Sequence, residues 1–91
     1  METEVLPEEK VKTQLDHKWM IILHNDDHNS FDHVIECLIK YCQHSVYQAE
    51  QCAQIVHFNG KTDVKRGDIY ELRPVYEALL DNDLTVTIEE A

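Results

Sequence analysis

The sequence is poor in basic residues, glycine and proline, and it has no long apolar run. Only 8 Lys+Arg stand against 18 Asp+Glu, a formal charge of −10. A surface so short of positive charge repels phosphates, which argues against direct nucleic-acid binding and against docking on anionic lipid. A basic partner surface or high solubility fits better. The two glycines, Gly60 and Gly67, leave no material for a phosphate-cradling loop. Nothing nears the roughly 18 consecutive apolar residues of a membrane span. The opening METEVLPEEK is acidic and lacks the apolar stretch of a signal peptide, so a cytoplasmic protein is expected. Three cysteines, Cys37, Cys42 and Cys52, form no CxxC pair, and their odd number suggests reduced thiols.

What is present suffices for one small folded domain. The chain has 91 residues, of which 43% are hydrophobic, enough for a modest core. A core of this size supports a binding surface more readily than a deep multi-step active site. Residues 1–17 read as a flexible acidic extension ahead of a folded domain at 18–91. Their apolar residues Val5, Leu6, Val11 and Leu15 are too scattered to offset the entropy of ordering. Either the segment is a solvated tail or it engages a partner.

The run Trp19–His24 is short and apolar, and turn formers follow it, which predicts a buried central strand. Asn25-Asp26-Asp27-His28-Asn29-Ser30 is then a structured loop. Phe31, Val34, Ile35, Leu38, Ile39 and Cys42 recur at helical spacing after the N-cap formers Asn29 and Ser30. A second helix starts after Ser45, where Ser45-x-x-Gln48 fits a capping box. Its stripe is Val46, Ala49, Cys52, Ala53 and Val56, and Asn59-Gly60 stops it. Thr62–Lys65 is a weak short strand. Asp68-x-x-Glu71 resembles another capping box, and Leu72, Val75, Tyr76, Leu79 and Leu80 share a face. Pro74 conflicts with a helix beginning at Asp68, because proline lacks the backbone donor. Either the helix starts near Arg73 or an irregular turn precedes it. Leu84, Val86 and Ile88 alternate with polar residues as a half-buried strand does. The predicted order is β-α-α-β-α-β, an α+β two-layer sandwich in which three helices cover a three-stranded sheet.

Asn25-Asp26-Asp27 at the strand-to-helix junction, with His57 late in the second helix, is the strongest chemical feature. Amide oxygen, carboxylate and neutral imidazole all accept hydrogen bonds, and together they suit an ammonium group, which only donates. Phe31, Val34, Ala53 and Val56 would place an apolar hollow beside them. A primary amine on a bulky apolar side chain fits both halves, but Asn-Asp-Asp is also common in plain turns. His24, His28 and His33 near Asp26, Asp27 and Asp32 raise a metal reading. It lacks HExxH or paired CxxC spacing, and no metal site is expected. Cys52 and His57 stand five apart, poorly placed as helical neighbours. Cys52 falls on the apolar stripe, so a packed thiol is expected there rather than a nucleophile.

The stretch Ile21-Ile22-Leu23-His24-Asn25-Asp26-Asp27 followed by Phe31, Val34 and Ile35 resembles the signature of ClpS, the adaptor of the ATP-dependent Clp protease. Ala53-Gln54-Ile55-Val56-His57-Phe58-Asn59-Gly60-Lys61 is similar to that family's second motif, and Leu84–Glu89 to its closing strand. The resemblance covers about residues 18–91. It implies a sandwich similar to the C-terminal domain of the ribosomal stalk protein. It further implies no enzymatic activity and no cofactor. The function implied is recognition of N-degrons, protein N-termini beginning with Leu, Phe, Tyr or Trp, and their delivery to a Clp-type AAA+ unfoldase. By position, Asn25, Asp27 and His57 would bind the α-amino group, and Asp26 would assist through the first peptide unit or a water. Asn29, Phe31, Val34, Ala53, Val56 and Leu84 would line the side-chain pocket. Residues 1–17 would match the extension that engages the unfoldase, and a monomer is expected. Family members often carry Thr and Met at the positions of Asn29 and Phe31, and usually Met at that of Ala53. Either the pocket is roomier here and admits β-branched first residues, or Phe31 refills the space. Glu71 is a candidate for unfoldase docking. The alternative function is a pocketless interaction module of the stalk-protein type.

Overall fold

A computed structural model describes residues 18–91, so the expectations for residues 1–17 lie outside the described residues. Six elements follow in the predicted order: β1 (Trp19–His24), α1 (Phe31–Cys42), α2 (Val46–Asn59), β2 (Lys61–Gly67), α3 (Ile69–Asp81) and β3 (Val86–Glu90). The strands form one antiparallel sheet in the order β2-β1-β3, so β1 is central. Strand alternation sends Ile21 and Leu23 to one face. There they join Val64 of β2, Val86 of β3 and Leu84 against Cys37, Leu38 and Cys42 of α1, Ala49 and Val56 of α2, and Leu72 and Leu79 of α3. Among the described residues, no polar or charged residue is buried.

Local chemistry accounts for the helix ends. The Ser30 hydroxyl accepts from the His33 amide and caps α1. At α2 the capping box is closed in both directions: Gln48 N donates to Ser45 Oγ at 3.1 Å, and Ser45 N donates to Gln48 Oε1 at 2.9 Å. Gly60 ends α2 at φ 99°, a backbone region that L side chains rarely adopt. Its amide donates to the Val56 carbonyl, and its own carbonyl accepts from Asn25 N at 2.8 Å. That second bond ties the loop after β1 to the end of α2.

Two expectations need correction. First, α3 begins at Ile69, capped by Asp68, and runs through Pro74 as regular helix. Neither a start near Arg73 nor an irregular turn is found. The missing proline amide leaves the carbonyl of Tyr70, a residue 60% exposed, without its helical donor. Full burial of Leu72 and Leu79 on either side of Pro74 outweighs the lost bond. Second, β2 spans Lys61–Gly67 rather than 62–65. Ile21 pairs with Lys65 while Ile22 pairs with Asp63, so Val64 is an extra residue on β2. This bulge breaks the period-2 pattern by which the strand would have been recognised.

Candidate functional site

A cavity of about 340 Å³ opens where the C-terminal end of β1, the following loop, the start of α1 and the last turn of α2 meet. Its size falls at the lower end of small-ligand pockets, roughly 300–1,000 Å³. Leu23, Val34, Ala53 and Val56 supply apolar lining, and Asn25, Asp26, Asp27, Asn29 and His57 supply polar lining. Helical spacing puts Ala53, Val56 and His57 on one side of α2, because residues three and four apart share a face. Ala53 and Val56 are buried, while Asn25, Asp27 and His57 are exposed at the rim.

Among the described residues, the side chains of Asn25, Asp27 and His57 make no hydrogen bond or ion pair, so their acceptors stay open. The His57 ring is held by carbon contacts instead. It meets Phe31 edge-to-face with centroids 5.3 Å apart, and Phe58 edge-to-face at 4.9 Å. His57 lies in the last turn of α2.

Asp26 and Asn29 are differently employed. Asp26 Oδ1 accepts the backbone amides of His28 at 3.1 Å and Asn29 at 2.9 Å. Its Oδ2 accepts the Asn29 side-chain amide at 2.8 Å and the Thr85 hydroxyl at 3.0 Å. Asn29 Nδ2 also donates to the Asp83 carbonyl at 2.8 Å. Burial alone would raise the Asp26 carboxyl, but the bonds from Asn29, Thr85 and His28 outweigh it and hold it below its ordinary value. Its carboxylate therefore closes the loop and has little capacity left for a ligand, which departs from the assisting role expected of it.

Leu84 does not line the cavity. It is 3% exposed and packs in the main core. The expected strand starting at Leu84 begins only at Val86, and Leu84 sits in the α3–β3 connection, where its amide donates to the Leu79 carbonyl at 3.1 Å. Leu23 and His24 line the cavity in addition to the expected residues. Their place at the end of β1, directly before the Asn-Asp-Asp loop, was the available signal. Phe31 also lines the cavity and is 45% exposed.

The other histidines among the described residues serve as structural ties. His28, His33 and His44 lie 3.2, 2.8 and 2.7 Å from the carbonyls of Asp83, Asn82 and Val64. A carbonyl only accepts, so each ring nitrogen donates. His24 Nε2 lies 2.9 Å from Thr87 Oγ1. Among the described residues, no three His, Cys, Asp or Glu side chains are grouped to hold a metal ion. None of the lining residues is a serine or cysteine. Among the described residues, no helix is long and apolar enough to cross a membrane.

A family model described as ATP-dependent Clp protease adaptor protein ClpS matches residues 14–87. The ATP-dependent Clp protease adapter protein ClpS of Thermosynechococcus vestitus is 32% identical over 85 residues, 90% of each chain. Agrobacterium tumefaciens ClpS2, solved bound to L-phenylalaninamide, superposes with a TM-score of 0.70 over 84% of this chain and 99% of that one. At 16% identity that likeness speaks to the fold alone.

Proposed function

We propose that this chain, which belongs to the ClpS family of adaptor proteins of the ATP-dependent Clp protease, binds free protein N-termini that begin with a bulky apolar residue. The bound chain ends pass to a Clp-type AAA+ unfoldase in the cytoplasm. The protein acts by binding and catalyses no reaction itself.

One observation carries this reading: three open polar groups, Asn25, Asp27 and His57, stand at the rim of a cavity walled by Leu23, Val34, Ala53 and Val56. An α-ammonium offers three donors to the Asn25 amide oxygen, the Asp27 carboxylate and the neutral His57 imidazole. The first side chain enters the apolar part. Each bond to the charged group contributes about 1.5–3 kcal/mol, and burial of a Leu or Phe side chain about as much again. After ordering costs, an affinity near micromolar is expected, about −8 kcal/mol. The ClpS2 relative was solved with L-phenylalaninamide, a free amine next to a benzyl group, which has the chemistry this cavity suits.

Selectivity follows from what a wrong ligand leaves undone. An acetylated terminus has lost its charge and two donors, so the rim acceptors are desolvated without compensation. A small first residue leaves the apolar wall in water. The reading is tested by titrating peptides that differ only in the first residue and in Nα-acetylation. Leu, Phe, Tyr and Trp termini are expected to bind, and Gly and acetylated termini are not. Equal affinity for a peptide and its acetylated form overturns it.

A further inference from the structure

Phe58 is 78% exposed, more than any other large apolar side chain among the described residues. Its ring packs edge-to-face on His57, with centroids 4.9 Å apart. It does not line the cavity. Phe31, His57 and Phe58 thus form a row of three rings, from a residue that lines the cavity to one outside it.

From this row we infer that Phe58 determines specificity for the second residue of the bound chain end, favouring aromatic and large apolar side chains there. The inference rests on the amine site proposed above. With the α-ammonium at His57 and the first side chain in the cavity, the second residue must lie outside it. Consecutive Cα atoms are about 3.8 Å apart, so the second side chain lies within reach of a ring packed on His57. Successive side chains of an extended chain point to opposite sides. The second is therefore directed away from the hollow that takes the first, and Phe58 is the large apolar group beside the rim that the hollow does not use. A Phe ring left in water at this place gains from being covered, and an aromatic partner covers it best.

The test compares three ligands: L-phenylalaninamide, Phe-Gly-amide and Phe-Trp-amide. Each is titrated by calorimetry into wild type, Phe58→Ala and Phe58→Tyr. Wild type is expected to favour Phe-Trp-amide over Phe-Gly-amide by about two- to tenfold, the range of an aromatic pair. In Phe58→Ala that ratio falls to about one, and in Phe58→Tyr it is kept, since the ring remains. The inference is overturned if wild type binds both dipeptides equally, or if Phe58→Ala keeps the ratio. It is also overturned if Phe58→Ala weakens all three ligands by the same factor, which would make Phe58 only a support for the His57 ring. Failure of wild type to bind any of the three overturns the amine site itself, a result distinct from the others.

Discussion

The Asp26 carboxylate grips Asn29 twice, taking its backbone amide on Oδ1 at 2.9 Å and its side-chain amide on Oδ2 at 2.8 Å. The Thr85 hydroxyl binds the same Oδ2, and Asn29 reaches Asp83, so the loop is pinned to the start of β3. Asp26→Ala is expected to cost about 1–3 kcal/mol of stability, since several donors lose a charged acceptor. Urea unfolding measures it, and an unchanged midpoint would show that the clamp contributes nothing.

The same carboxylate imposes a pH dependence. Its folded-state value lies below the ordinary one because the hydrogen bonds outweigh burial. The stabilisation is therefore complete above the unfolded value, about 3.9, and is lost as pH falls through the folded value. Wild type minus Asp26→Asn stability is expected to be constant from pH 7 to about 5 and to shrink below about pH 4. A difference that grows on acidification would contradict this.

Asn25→Ala, Asp27→Ala and His57→Ala should each weaken binding of a Leu- or Phe-initiated peptide by about 10- to 100-fold. These side chains have no hydrogen-bond partner among the described residues, so the fold should be kept. Circular dichroism and thermal melting check the second half. A variant that unfolds, or one that binds normally, counts against the open-acceptor reading.

Ala53 is 3% exposed on the cavity wall. Ala53→Met adds three heavy atoms to that wall and should reduce binding of Ile-initiated peptides more than Leu-initiated ones, because β-branching puts bulk at the neck. An unchanged preference order among Leu, Phe and Ile termini would show that Ala53 does not shape the hollow.

Pro74 is exposed inside α3. Pro74→Ala restores an amide donor to the Tyr70 carbonyl and is expected to raise stability by about 1–3 kcal/mol. A lower urea midpoint would reveal a role for the pyrrolidine ring that the helix geometry does not explain.

Much of this protein was readable along the chain, because the governing interactions are short-ranged. Helical periodicity brought out Leu38, Cys42, Ala49 and Val56, all buried. Ile39 and Val46, on the same stripes, are 37% and 58% exposed, since periodicity marks a face but not where the opposing layer ends. The Ser45–Gln48 box formed as expected because both partners lie within one helical turn. The strand-loop-helix setting of Asn25-Asp26-Asp27 was likewise visible from neighbouring residues alone.

Other outcomes depended on partners that only folding supplies. Asp26 and Asp27 are adjacent carboxylates in one loop, and nothing local says which remains open. Thr85, 59 residues away, and the Asn29 clamp occupy Asp26, while Asp27 faces solvent. Leu84 shares the alternating pattern of Val86 and Ile88 but lies before β3, and its tie to the end of α3 decided that it meets the core rather than the cavity. Pro74 follows the same rule: its local cost is plain in the sequence, while the burial of Leu72 and Leu79 that overrides it exists only after assembly. Sequence alone thus determined the elements, their caps and the set of groups able to accept a proton-bearing ligand. Tertiary structure decided which of those acceptors are left free, because each lone pair serves whichever donor the fold brings within 3 Å of it.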